Sequence, residues 1–225
     1  MNMNTSKLIQ VMSLTAVMFV LQGCVTAKID EMTYNPPEAG VGASSVVLLG
    51  RRHASNYDTE RDFVQCVRNH IQGKDDTIDI VDEAQFLDAL YPWFEPRTAP
   101  MHPGAIRELL AQPAVASKIQ ALDTQYMIWI DGNTERTDAS GSMTCGVGPT
   151  GAGCFGFGTW SDESNYEAVI WDFSNQAEVG RINTSTSGQS YMPAVVVPIP
   201  IIAPVQGTAC DGIGEQLLQF LSAKY

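Results

Sequence analysis

The spacing of hydrophobic residues along the chain alternates between patterns typical of strands and of helices. This alternation predicts a fold that contains both. Residues 45–49 form a short apolar run rich in β-branched side chains, which predicts a buried strand. Apolar side chains then recur at helical spacing over 59–72. Thr59 with Asp62 resembles a capping box at the start of this predicted helix, and Gly73 is placed at its end.

The next segment predicts a second strand and three helical pieces. Residues 77–81 are apolar enough for a short strand, and Asp82 follows as the cap of a short helix that Pro92 ends. The helical pattern over 104–122 contains Pro113, a residue that breaks helices. We therefore expect two helices in place of one.

The second half of the chain predicts a strand, a hairpin and a final helix. The strand covers 125–131 and is closed by an Asp-Gly-Asn turn, the hairpin joins 166–173 to 178–185, and apolar residues over 210–221 form one helical face. This order predicts a mixed α/β (α+β) fold with about five strands and helices packed on the sheet. We expect residues 44–225 to form one globular domain.

The first residues predict export and a lipid anchor. Residues 1–23 carry one positive charge, Lys7, and an apolar run too short for a permanent membrane span. The run ends in Leu21-Gln22-Gly23-Cys24, which resembles the lipobox of bacterial lipoproteins and implies lipidation of Cys24. The alternative is a cleavable signal that contains a cysteine by chance. Because Val25 is not aspartate, the resemblance implies an outer-membrane lipoprotein that faces the periplasm, with 24–43 as anchor and flexible tether.

Four cysteines remain after the proposed lipidation site, an even number that suggests two disulfides in an oxidising compartment. Three pairings are possible. Cys145 and Cys154 bracket a short glycine-rich loop, which favours a local bridge and leaves Cys66 to pair with Cys210. That second bridge would place both of its helices on the same side of the sheet. A four-cysteine zinc site is the rival interpretation, and it lacks any CxxC spacing.

Composition and side-chain spacing give no sign of nucleic-acid binding or of catalysis. The formal net charge is −12, which disfavours contact with phosphates, and the high apolar fraction excludes wholesale disorder. The three histidines, His53, His70 and His102, lie in no metal-ligand spacing, and no nucleophile-elbow motif is present. We expect no catalytic residue, no metal and no cofactor.

Two long stretches without any charged residue, 139–161 and 182–210, are the most informative feature of the sequence. If both are partly exposed, they form an apolar patch of the kind that marks interaction sites. Phe155, Phe157 and Trp160 would then be its anchors, because aromatic side chains dominate interface hot spots. The alternative is that the two stretches only cover the sheet and each other.

The order of elements over 45–225 is similar to a domain of envelope lipoproteins. The segments IDIVDEAQFLDAL and QYMIWIDG, a strand ending in Trp171-Asp172, the segment EVGRI and the terminal helix carry this resemblance. The domain occurs in the curli-secretion lipoprotein, the penicillin-binding-protein activator lipoprotein and the amino-terminal part of the Tol-system propeller protein. Those proteins are not enzymes, and they bind, activate or assemble other envelope proteins.

The resemblance implies a non-catalytic lipoprotein that docks onto another cell-envelope protein and assembles or regulates it. The protein would be attached to the membrane through the lipid on Cys24. The alternative function is binding of a small or glycan ligand through the loop around Trp93 and the glycine-rich loop.

Overall fold

A computed structural model describes residues 25–33, 45–51, 59–95, 98–100, 103–149 and 151–222. The predicted signal peptide, the predicted lipidation site Cys24 and the part of the predicted tether after residue 33 lie outside these residues, as do His53 and His102.

The described chain forms one six-stranded mixed sheet, which confirms the predicted fold class. The strands are β1 (Val25–Thr33), β2 (Ser45–Gly50), β3 (Ile80–Val81), β4 (Thr124–Gly148), β5 (Gly151–Asp172) and β6 (Ala177–Pro198). Their order across the sheet is β1-β6-β5-β4-β2-β3. Strand β2 pairs in parallel with both β3 and β4. The connections from β4 to β5 and from β5 to β6 are short enough only for antiparallel neighbours.

Five helices accompany the sheet in the described residues. They are α1 (Arg61–Lys74), α2 (Glu83–Ala89), α3 (Pro103–Leu110), α4 (Pro113–Ala121) and α5 (Val205–Ser222). The break between α3 and α4 confirms the interruption predicted at Pro113. The Asp82 carboxylate accepts hydrogen bonds from the backbone N–H groups of Ala84 and Gln85, which confirms Asp82 as the cap of α2.

Helices cover both faces of the sheet, and β2 shows how its residues divide between two cores. Val46 and Leu48 point into a core shared with α1 and α5. Val47 and Leu49 point into a second core shared with α2, α3 and α4. Alternate residues of a strand face opposite sides, so a strand covered on both faces is apolar throughout, as β2 is.

Both predicted disulfides are present. Cys66 of α1 is bonded to Cys210 of α5 across 144 residues, and Cys145 of β4 is bonded to Cys154 of β5 across 9 residues. The apolar faces of α1 and α5 belong to the same core. This confirms that the first bridge joins two helices on one side of the sheet.

The described residues divide into two compact units. The core unit comprises Ala27–Glu135, Ser164–Thr186 and the residues from Gln206 onwards, and it contains all but the first residue of α5 together with the four other helices. The strand unit comprises Val25 and Thr26, Arg136–Glu163 and Ser187–Val205. Strands β4, β5 and β6 contribute residues to both units.

Two segments predicted without regular structure are strands. Val25–Thr33, placed in the flexible tether by sequence, is the edge strand β1, beside β6. The glycine-rich segment 139–161 belongs almost entirely to β4 and β5, so β4 does not end at the Asp-Gly-Asn turn predicted after residue 130. Strand pairing explains both corrections, because backbone hydrogen bonds to a neighbouring strand override weak local propensity.

The predicted capping box at α1 is also wrong. The residue before the helix is Glu60, and its side chain makes no capping hydrogen bond. The Thr59 hydroxyl instead donates to the carbonyl oxygen of Ile130, 3.2 Å away on β4. A contact to the sheet therefore replaces the local cap.

Removing the two disulfides separately is expected to destabilise the protein unequally. In the chain-entropy model, the longer loop makes the Cys66–Cys210 bridge worth about 5 kcal/mol and the Cys145–Cys154 bridge about 3 kcal/mol. Denaturant unfolding of the Cys66→Ala/Cys210→Ala and Cys145→Ala/Cys154→Ala variants measures both. A larger loss from the second pair would contradict the assignment of Cys66–Cys210 as the main covalent constraint.

Candidate interaction surface

The exposed apolar side chains of the described residues concentrate in the strand unit. Of the ten large hydrophobic side chains that are exposed, eight lie there. Patches of this kind mark interaction sites in soluble proteins. The eight exposed side chains of the strand unit are Val147, Phe155, Phe157, Val195, Val196, Val197, Ile199 and Ile202.

Two glycines set the close pairing of β4 and β5 beside the exposed aromatic residues. Gly141 has a φ of +119° and Gly156 a φ of +150°, values that other residues rarely adopt. A Cβ atom on Gly141 would lie 2.2 Å from the carbonyl oxygen of Phe157, and one on Gly156 would lie 2.2 Å from that of Ser142. Only glycine fits at either position of this uncharged hairpin.

Phe155 and Phe157 are exposed on β5, as expected for interface anchors. Their exposed fractions are 63% and 48%, and the Phe157 ring lies 6.1 Å from that of Tyr191 on β6. Phe155 borders an open concavity of about 610 Å³, which Val147 and Val196 also line. The Cys145–Cys154 bridge links the strands that form the floor of this concavity. We call Phe155, Phe157 and Val147 the aromatic surface.

Trp160, the third predicted anchor, is half-buried and is not part of the aromatic surface. The Arg136 guanidinium lies 5.1 Å from the centre of its ring, a cation–π arrangement. Arg136 is also paired with Asp162, at 3.4 Å between Nε and Oδ1. The indole is therefore covered by a side chain of its own unit.

A second group of exposed apolar side chains lies at the end of β6 and in the segment directly after it. Val195, Val196, Val197, Ile199 and Ile202 are 53–76% exposed, and we call them the aliphatic ridge. Val196 has a φ of +83°, an uncommon conformation for a β-branched residue, and strained backbone of this kind collects at functional positions.

Trp93 belongs to the core unit, whereas Phe155, Phe157 and Trp160 belong to the strand unit. Its ring is half-buried against the core that α2, α3 and α4 share. The Lys118 ammonium lies 5.7 Å from the ring centre.

A buried tyrosine links three elements of the core unit. The Tyr166 hydroxyl donates to Glu60 Oε2 at 2.9 Å, lies 3.0 Å from Thr134 Oγ1 and accepts from Gln206 Nε2 at 3.2 Å. Glu60 Oε1 accepts from the Thr134 backbone N–H. Burial raises the pKa of Tyr166 to about 12. The contacts hold the start of α1, the sheet and the start of α5 together.

Titratable side chains elsewhere form ion pairs and give no metal-ligand cluster. His70 Nδ1 lies 3.1 Å from Asp211 Oδ1, and the Lys74 ammonium donates to Glu215 Oε2 at 2.8 Å. The bond from Lys74 lowers the pKa of Glu215. Within the residues that the structure describes, no group of three or more His, Cys, Asp or Glu side chains could hold a metal ion. In the same residues, no helix is long and apolar enough to cross a membrane.

Comparisons with known proteins leave the family of this chain open. No family model and no curated protein matches it. Among solved structures it is similar to the PelC dodecamer from Paraburkholderia phytofirmans, with a TM-score of 0.41 and 11% identity over 88% of this chain and 99% of that chain. A point variant of the same dodecamer gives the same values. A likeness of this size carries no argument about function.

The aromatic side chains of the uncharged stretches pointed to Phe155 and Phe157 of the aromatic surface, but no sequence pattern pointed to Val147 or to the residues of the aliphatic ridge. The absence of charge over 182–210 was the available signal. It did not separate buried members of that stretch, such as Ala194 and Ala203, from exposed ones such as Val195. That distinction depends on the pairing of β6, which the apolar composition does not encode.

Tyr166→Phe is expected to lower the free energy of unfolding by about 1–3 kcal/mol at pH 7, because Glu60 and Gln206 lose a buried partner. The folded-state pKa of Tyr166, about 12, exceeds its ordinary value of 10, so the folded state favours the protonated phenol. This contribution is complete below about pH 10 and is lost as the pH rises through about 12.

Urea unfolding of both proteins at pH 7, 9 and 11 tests this. The difference between the native chain and Tyr166→Phe should narrow by about 1 kcal/mol between pH 9 and pH 11. A difference that widens at high pH would contradict the assigned role of the hydroxyl.

Proposed function

We propose that this protein is a non-catalytic outer-membrane lipoprotein that docks onto another cell-envelope protein and assembles or regulates it. The observation that carries the proposal is the exposure of Phe155 and Phe157, 63% and 48%, on an uncharged hairpin held by a disulfide. Exposed aromatic side chains on a rigid support lose little conformational entropy on binding, and they dominate interface energies.

Lipidation of Cys24 would give this docking its mechanism. A chain confined to the membrane meets a partner in the same membrane at a raised effective concentration, so a small apolar surface suffices. The support for lipidation is the Leu21-Gln22-Gly23-Cys24 motif after a short apolar run.

Changing Phe155 and Phe157 to Ala together should remove the bound partner. Crosslinking in living cells, followed by affinity capture of the tagged chain and mass spectrometry, measures the partner recovered. We expect a loss of at least about tenfold, because two hot-spot side chains each contribute more than about 1 kcal/mol.

Tyr91→Ala is the matched control, because Tyr91 is a 65% exposed aromatic residue of the core unit. It should leave the recovered partner unchanged. Equal recovery from the Phe155→Ala/Phe157→Ala chain and the native chain would contradict the docking role of the aromatic surface.

Cys24→Ser should release the protein from membranes, because the acyl chains would have no attachment atom. Membrane fractionation measures the release, and intact-mass analysis of the native chain should show diacylglycerol on Cys24. Continued firm attachment of Cys24→Ser through a carbonate wash would contradict the lipobox interpretation.

Binding of a small or glycan ligand is the second candidate, and the concavity of about 610 Å³ beside Phe155 favours it. A ligand there would stabilise the protein by mass action. A rise in the unfolding temperature of the purified chain with one class of envelope glycan, lost in Phe155→Ala, would favour this candidate over protein docking.

A further inference from the structure

The start of the described chain and the residue directly after the aliphatic ridge approach the same glycine. A Cβ atom on Gly188 of β6 would lie 2.8 Å from the Ala203 Cβ, 3.0 Å from Val205 Cγ2 and 3.3 Å from Val25 Cγ2. Val25 and Ala203 therefore meet at the same glycine, inside the strand unit. The side chains of Ala203, Val205 and Val25 fill the space that a side chain at position 188 would need.

This contact places Val25, the residue that follows the proposed lipid anchor, near the residue that follows the ridge. Cys24 directly precedes Val25, and Ile202 of the ridge directly precedes Ala203. Val25 and Ala203, the described neighbours of these two residues along the chain, both approach Gly188. Acyl chains on Cys24 would enter a bilayer within reach of the ridge.

The ridge has the chemistry of a surface for hydrocarbon. Its side chains are all Val or Ile, and no charged residue occurs between Arg181 and Asp211. It lacks the Trp, Tyr and Arg side chains that anchor protein interfaces. The ridge thus differs from the aromatic surface, although Val196 lies beside Gly153 of the same hairpin.

Residues 198–201, in the middle of the ridge segment, leave no backbone N–H group unpaired. Pro198 and Pro200 have no N–H group. The N–H of Ile199 donates to the Pro193 carbonyl at 3.0 Å, and that of Ile201 donates to the Tyr191 carbonyl at 2.7 Å. Unpaired backbone groups are costly in hydrocarbon, so this arrangement suits contact with lipid.

We infer that the aliphatic ridge lies in the lipid bilayer beside the anchor on Cys24, and so fixes which side of the strand unit faces the membrane. This inference rests on the lipidation proposed above. Several acyl chains already supply stable attachment, so the ridge adds orientation and not anchoring strength. The aromatic surface is then held at the membrane surface, where its partner must present the docking site.

The test is site-specific photocrosslinking of the full lipidated chain in its own membranes. The crosslinker p-benzoylphenylalanine replaces Val197 or Ile202 on the ridge, or Tyr91 in the core unit, which is as exposed as Ile202, 65% against 64%. Mass spectrometry distinguishes phospholipid adducts from protein adducts. We expect at least about fivefold more phospholipid adduct at the two ridge positions than at Tyr91.

A charge on the ridge supplies the second measurement. With the crosslinker at Val197, Ile199→Glu should lower the phospholipid adduct roughly fivefold, because a charge resists entry into the bilayer. Ile199→Leu is the matched control and should leave it unchanged. Ile199 is 62% exposed, so neither variant should alter the unfolding midpoint.

Three outcomes would overturn the inference: protein adducts in place of lipid at Val197 and Ile202, equal phospholipid adduct at Tyr91, or no effect of Ile199→Glu. The proposed function fails separately. Loss of the partner in the Phe155→Ala/Phe157→Ala chain should leave the lipid adducts intact, and an unmodified Cys24 in the intact mass would remove the anchor itself.

Discussion

Burial of apolar side chains away from water stabilises a folded protein, and the two units of this chain differ in how completely they achieve it. In the core unit, α1 and α5 cover one face of the sheet and α2, α3 and α4 cover the other. In the strand unit, β4, β5, β6 and the segment that follows β6 present eight exposed large hydrophobic side chains. The proposed docking and the proposed membrane contact both follow from this exposure.

Specific devices keep the exposed residues in defined places. The Cys145–Cys154 bridge closes the hairpin of β4 and β5, and the glycines at 141 and 156 bring its strands close together. Arg136 packs on Trp160 and pairs with Asp162, so it covers the predicted anchor that is not part of the aromatic surface. A surface ordered in this way before binding loses less entropy when a partner arrives.

Local sequence patterns predicted the fold well where burial determines the pattern. The apolar run of β2, the break at Pro113 and the cap at Asp82 each have a local physical cause, and the disulfide pairing followed from spacing. The pattern failed where strand pairing decides the structure, as in Val25–Thr33 and the glycine-rich part of β4. For the site, the lack of charge identified the right stretches and the aromatic residues identified Phe155 and Phe157. The exposure of Val195 and its neighbours depends on the placement of β6, which no local pattern contains.

Both proposals require that the exposed apolar residues of the strand unit are covered in the cell. Carbene footprinting of the chain in intact membranes, compared with the purified chain, tests this most directly. We expect strong protection of Phe155, Phe157 and the aliphatic ridge in membranes, and equal labelling of Tyr91 in both samples. Equal labelling of the strand unit in membranes and in solution would contradict it.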